Sequence, residues 1–519
     1  MIRNERFGSR LGMMLAMLGM AVGTGNIWRF PRIAAKNGGG EFLLAWFVFL
    51  FLWSIPLILL EFGMGRKIRR GPIKAFMQMM GPKWAWMGAF CVFVASAIMF
   101  YYSVVAGWTL RYTIASITGE VPEASPGALW ESFTNSYWPV LTHGVMIGLA
   151  TLVVARGIRT IEKVTLVLMP ALIILVLVLT VRALMLPGAG AGLSYMFSVD
   201  WSNLAHARIW IEALTQNAWD TGAGWGLVLC YAAYLRERED TTLNAFILPI
   251  ANNMISLLAG IMVFCTVFSI VPQLIDQAAT DPAVLDGLGS LKAAVDAGET
   301  FSPQLLQKTI FDAGNEGITF TWMPQLFKSM PAGQFFMTLF FTALVFAAFT
   351  SLLAMVELAT RALVDGGVSR SRAIQCVGLG GFLLGVPSAL SMKFLQNQDW
   401  VWGVALMLAG LFFAIAIIAH GARKFRIEQL NHADSNVRVG RWWDVVICIL
   451  VPIQAVILLA WLLYDAWSGN PENWLKPFDV YNVGTVLIQF VVVLVVLILA
   501  NKWIVRRCNR PDGENVQAG

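Results

Sequence analysis

The sequence predicts an all-α membrane protein of about twelve transmembrane helices, and three observations predict it. Of its 519 residues, 58% are apolar and 13% charged, too few charges to cover a water-facing surface of this size. Apolar stretches longer than the roughly 20 residues that cross hydrocarbon recur from end to end. Lysine and arginine gather in alternate loops. Peptide groups in hydrocarbon must be satisfied within their own segment, so the apolar runs read as helices; the short alternating segments of a barrel do not occur.

The spans read near 11–35, 41–65, 84–116, 138–155, 162–186, 207–236, 241–272, 331–364, 372–391, 400–421, 442–465 and 482–504. No charged surface domain interrupts them, so residues 1–519 read as one polytopic domain. Two sets of five spans occupy 10–186 and 207–421, and 442–504 adds a final pair. Arg3, Arg6 and Arg10 precede span one, and Arg66, Lys67, Arg69 and Arg70 follow span two. Arg156, Arg159 and Lys163 follow span four, Arg423, Lys424 and Arg426 follow span ten, and Lys502, Arg506 and Arg507 end span twelve. The long loop near 273–330 is acidic, with Asp276, Asp281, Asp286, Asp296, Glu299, Asp312 and Glu316. This asymmetry predicts cytoplasmic termini, an even number of spans and a plasma (inner) membrane location. No small-residue cleavage site follows the first apolar run, which therefore reads as a retained helix.

Several classes of function are excluded. The net charge of +6 sits in the cytoplasmic loops, so it points to a lipid bilayer and not to nucleic acid. Five of six cysteines lie in apolar runs and give no disulfide framework. His143, His206, His420 and His432 are scattered, without metal spacing or a nucleophile–base pair, and no phosphate-binding loop occurs. The reading is a protein without covalent chemistry.

Spans one and six are unusual. Span one holds Gly19, Gly23 and Gly25, and span six holds Gly222, Gly224 and Gly226. Each glycine costs a helix interior about 1 kcal/mol relative to alanine, so clusters at mid-membrane predict breaks. These are the first spans of the two sets of five, the placement of an inverted repeat with its binding site at paired broken helices. Close packing through small residues is the plainer alternative.

The stretch from Arg10 to Pro31, RLGMMLAMLGMAVGTGNIWRFP, followed by Asn37-Gly-Gly-Gly40, resembles the neurotransmitter:sodium symporter family. The likeness continues through Ile55-Pro56, Glu61, Met64-Gly-Arg66, Tyr101-Tyr102, Trp108 and Thr350-Ser351; spans eleven and twelve match only in hydropathy. The resemblance implies a symporter that carries a small amino acid with sodium. Sodium is a hard cation and takes oxygen ligands. By motif position, the resemblance implies one sodium site at the Ala21 carbonyl, Asn26 and Asn252, with Asp220 adjacent. It implies a second at the carbonyls of Gly19, Val22 and Ala347 and the hydroxyls of Thr350 and Ser351. For these hydroxyls the bland alternative is a bond back to their own helix.

The same resemblance places the substrate carboxylate at the amides of Thr24 and Gly25, where a half-helix begins and its dipole favours an anion, with Tyr102 donating its hydroxyl. The substrate amine would meet carbonyls at Ala21, Trp219, Asp220 and Gly222. Monoamine carriers of the family place aspartate at the position of Gly23; its absence implies a substrate that brings its own carboxylate. Ile98, Trp219, Gly222, Ala223, Trp225 and Met355 would form the pocket wall. Gly222 enlarges that wall while the two tryptophans narrow it, with Trp219 as lid. Arg29 and Asp399 are implied as one gate, and Asp365 with Arg3 or Arg6 as the other, plugged by Phe7. Phe7 and Asn4 depart from the family's tryptophan and arginine. Glu61 is expected to anchor the span-six break. In span five, Thr160 stands ten residues before Pro170, about where the family often unwinds at a glycine.

Asp220 is the most informative departure. The family usually has serine or threonine there, and in chloride-dependent members that hydroxyl joins a chloride site. Gln216 and Asn252 match the rest of that site, Ser256 stands where some chloride-independent members carry glutamate, and Trp46 replaces a tyrosine. Buried sodium ions demand a compensating negative charge in low dielectric. A fixed carboxylate at Asp220 supplies it, so two sodium ions are expected to be cofactors and chloride is not. When sodium leaves, a lone buried carboxylate is expected to take up a proton. Two alternatives keep the scaffold: a carrier of a betaine-like osmolyte, and a sensor that binds an amino acid without moving it.

Overall fold

The computed structural model describes residues 5–123, 126–236, 239–286, 288–433, 435–477 and 479–509, and they are helices joined by turns. Among the described residues, ten helices are long and apolar enough to cross a membrane. Arg10–Ala21 and Gly25–Lys36 form an eleventh span, bent by 55° between its halves. The remaining expected span, span six, is split into Ala207–Asp220 and Leu227–Ala232, each too short to cross alone.

The two breaks have different local causes. In span six, Gly222, Gly224 and Gly226 take φ of 70°, 84° and 82°, the left-handed region that side chains avoid. In span one, Val22 turns to extended backbone (ψ 104°) after Arg10–Ala21, and the chain re-enters helix through a π-helical turn at Gly25–Arg29. A second π-helical turn, Leu50–Ser54, widens span two beside span six and was not legible from hydropathy.

Burial sorts the helices. The windows of Pro82–Thr118, Thr241–Ala278 and Gly333–Asp365 are 72–78% buried, whereas those of Trp442–Gly469 and Val483–Cys508 are 33% and 28% buried. The first three surround the broken spans; the last two stand at the edge, where Val491, Val495 and Leu499 turn outward as lipid would require. Span five runs unbroken as Ile158–Leu184 with Pro170 inside it.

The end of the bundle near the N-terminus is closed by a buried polar layer. Glu357 accepts from Tyr234 and from Arg370 (2.8 Å), while Arg361 donates to Tyr234 (3.2 Å) and to the Arg69 carbonyl (2.8 Å). Asp365 accepts from the Gly71 amide at 2.6 Å and lies 3.5 Å from both Arg70 and Arg361. Phe7 is buried, and its amide donates to the Tyr234 carbonyl. Glu162, on span five, accepts from the amides of Gly8 (2.6 Å) and Ser9 (2.9 Å) and so holds the start of span one. Arg3 and Asn4 lie outside the described residues.

Candidate functional site

The site is built around the two breaks. At span six, Glu61 is fully buried, and its carboxylate accepts from the amides of Gly224 (2.7 Å) and Leu229 (3.0 Å). One anion thus satisfies two donors that the break strips of helical partners. Beside it, Thr221 donates to Ser54 (3.0 Å), and the Asn217 side chain donates to the Trp46 carbonyl (2.8 Å).

At span one, Asn26 folds back so that its Oδ1 accepts from the Gly23 amide at 2.8 Å. The Thr24 amide donates to the Tyr102 hydroxyl at 3.1 Å, which brings that hydroxyl to the start of the second half-helix. Gly23 packs under it: a Cβ there would lie 2.8 Å from the Tyr102 hydroxyl and 3.2 Å from Ser351 Oγ.

Two oxygen clusters flank these elements. In the first, Asn26 Nδ2 donates to Asn252 Oδ1 (3.0 Å) and Ser256 Oγ (2.7 Å). Ser256 and Gln216 then donate to Asp220 Oδ2 at 3.4 and 3.3 Å. Asp220 Oδ1 is buried without a hydrogen-bond partner. An unpartnered buried carboxylate oxygen within an all-oxygen and amide shell fits a hard cation. In the second cluster, Ser351 Oγ donates to the carbonyls of Gly19 (3.2 Å) and Val22 (3.1 Å), both on the last turn before the break. Thr350 Oγ1 donates to the carbonyls of Phe346 (2.9 Å) and Ala347 (3.2 Å). Thr350 thus makes the helical back-bond, whereas Ser351 reaches across to span one.

Between the clusters lies a chamber of about 80 Å³. Ala21, Thr24, Gly25, Tyr102, Trp219, Asp220, Gly222, Trp225 and Met355 all line it. Ile98 is fully buried and does not line it; Val105, three residues beyond Tyr102 on the other side, takes that place. Ala223 is likewise buried outside the lining. Met20, Leu227 and Leu395 add apolar wall that the motifs did not single out. Trp225 is fixed by its Nε1 donating to the Ala218 carbonyl (2.9 Å), and Trp219 packs edge-on against it with centroids 5.7 Å apart.

The chamber meets a vestibule of about 760 Å³, and Arg29, Trp219, Asn315, Glu316 and Asp399 line both. Arg29 lies over the Trp219 ring (5.7 Å) and donates to Gln216 Oε1 at 2.5 Å. Among the described residues no ion pair joins Arg29 to Asp399; the guanidinium bonds Gln216 instead. Asn315 and Glu316 come from the acidic loop, which is tied to span one by Arg32 to Asn315 (2.7 Å) and Lys36 to Asp312 (2.6 Å). At the opposite end, Asp365 meets Arg70 and Arg361, and Arg6 precedes the buried Phe7.

Comparison with known proteins bears on this geometry. Residues 4–138 and 131–506 match the model of the sodium:neurotransmitter symporter family. A sodium-dependent transporter of Methanocaldococcus jannaschii is 29% identical over 484 residues, covering 90% of this chain and 91% of that protein. A sodium-dependent transporter of Bacillus subtilis is 28% identical, covering 87% and 96%. The crystal structure of MhsT in complex with L-phenylalanine superposes with a TM-score of 0.73 at 27% identity, covering 88% of this chain and 99% of that one. Two broken helices, the oxygen clusters beside them and a family match spanning nearly all twelve spans lead to one assignment: the chain belongs to the sodium:neurotransmitter symporter family.

Proposed function

We propose that this protein moves a small amino acid into the cell with sodium, by alternating access, and that it does so without chloride. The observation that carries the reading is Asp220, whose Oδ1 is buried and unpartnered between the two breaks. With Ala21, Asn26 and Asn252 it would hold one sodium ion; Gly19, Val22, Ala347, Thr350 and Ser351 would hold the other. The substrate carboxylate would take the amides of Thr24 and Gly25 and the Tyr102 hydroxyl. The carbonyls at the span-six break would take its amine, and Trp219, Trp225 and Met355 would enclose its side chain. Support for an amino acid comes from the absence of a fixed acid at Gly23, and from the likeness to a structure that holds L-phenylalanine. Arg29 and Asp399 would close the vestibule, and Asp365 the other end with Arg6. Both termini would then lie in the cytoplasm, beneath the plasma membrane.

The test is uptake by purified protein in liposomes. An inward sodium gradient should drive accumulation of at least one neutral amino acid, equally in gluconate and in chloride. Loss of uptake in gluconate would end the chloride-independent reading, and sodium-independent uptake would end the reading as a whole. Glycine betaine has no N–H to give the span-six carbonyls, so it should compete poorly.

Gly23→Ala is expected to lower substrate affinity about tenfold or more, because the added methyl displaces the Tyr102 hydroxyl from 2.8 Å. Equilibrium binding of labelled substrate at saturating sodium checks this.

A further inference from the structure

A third cavity, of about 490 Å³, lies away from the transport site, between the helices Ala85–Thr118, Gly333–Asp365, Arg370–Leu390 and Val483–Cys508. Its wall is apolar, formed among others by Met99, Ala359, Leu363, Gly380, Leu384 and Ile504. Leu363, Leu384 and Cys376 are exposed at its rim, so it opens sideways where lipid tails run. Among the described residues its one charged lining residue is Arg507, at the basic end of the last helix, with the Arg507 guanidinium 5.3 Å from the Trp503 ring centroid. Arg372 is exposed one helical turn before Cys376, at the same end of the bundle. Among the described residues neither arginine has an ion-pair partner. Trp503 is 60% exposed, as an aromatic residue at the headgroup level is.

We propose that this groove is a binding site for one anionic phospholipid of the surrounding bilayer. An acyl chain fills the apolar trough, and the phosphate-bearing headgroup takes Arg507 and Arg372. Three features select this occupant. The trough is almost without polar atoms, as a hydrocarbon chain needs. Its opening faces the lipid and not the vestibule. Arg507 stands at its polar end and Arg372 is exposed near the start of the adjoining helix, both without carboxylate partners among the described residues, where a basic pocket between transmembrane helices binds an anionic headgroup. A helix from a second copy would fill the trough as well, but would leave both guanidiniums unmatched.

Gly380 gives the cleanest test. A Cβ there meets nothing within 4 Å, so Gly380→Phe fills the trough without strain on the helix. The full chain is exchanged into detergent with phosphatidylglycerol or phosphatidylcholine of identical chains, and bound lipid is counted by native mass spectrometry. Wild type should retain phosphatidylglycerol well above phosphatidylcholine. Gly380→Phe and the double variant Arg372→Gln/Arg507→Gln should each reduce retained phosphatidylglycerol about tenfold. An unchanged unfolding midpoint in lipid-free detergent shows that the variants remain folded. Equal retention of both lipids, or wild-type retention by either variant, overturns the proposal. So does a lipid-free dimer that Gly380→Phe dissociates, which would give the groove to a second copy.

Discussion

Asp220→Asn should weaken sodium binding at least about 100-fold and stop sodium-driven uptake in chloride-free medium. The asparagine keeps the shape and both hydrogen-bond partners of Oδ2, Gln216 and Ser256, but removes the only carboxylate of the first oxygen cluster. Leaving one member of a buried ion pair uncompensated costs about 3–5 kcal/mol, and each 1.4 kcal/mol is a factor of ten in affinity. Sodium titrations of thermal stability read this directly, since stabilisation follows mass action. Residual uptake, if any survives, should rise when chloride replaces gluconate, because a mobile anion can stand in for the lost charge. A variant that binds sodium as wild type does, in gluconate, would show that Asp220 is not the counter-charge. The proton expected at Asp220 after sodium has left has its own signature: pH-dependent exchange in liposomes, lost in Asp220→Asn.

Glu61→Ala should destabilise the protein by about 2–6 kcal/mol, enough to abolish uptake by disordering the span-six break. Its carboxylate satisfies the amides of Gly224 and Leu229 where no water is at hand, and each buried donor left alone costs about 1–3 kcal/mol. Glu61→Gln should fall between, since the amide oxygen keeps one bond while its NH₂ faces the other donor. Unfolding midpoints followed by intrinsic fluorescence should order the three proteins wild type, Gln, Ala. A wild-type midpoint for Glu61→Ala would show that the break supports itself.

Most of the architecture was legible because bilayer crossing is a local demand. A run of apolar residues announces a span whatever it packs against, and twelve such runs agree with ten continuous helices, the bent first span and the split sixth. The breaks were legible through Gly222, Gly224 and Gly226, since left-handed backbone leaves a mark on composition. The site was less so, because its geometry is set by rotation and by distant returns of the chain. Ile98, Tyr102 and Val105 share one helix face, and only the height of the chamber decides that Val105 and not Ile98 lines it. Asn315 and Glu316 reach the chamber from a loop with no local pattern that points there. The clamp of Glu162 on Gly8 and Ser9 joins residues more than 150 apart, and periodicity says nothing about it. The motif pairs Arg29 with Asp399, yet the neutral Gln216 is the nearer acceptor.

The tethering of the acidic loop to the second half of span one has a mechanical meaning. Lys36 grips Asp312, Arg32 grips Asn315, and Gln307 donates to the Ala35 carbonyl at 3.1 Å, three attachments within about one turn of one short half-helix. Tilting that half-helix must therefore either drag the flap along or rupture all three fastenings together. If the three hold, a spectroscopic label placed on the loop would report the tilt of the helix it is fastened to.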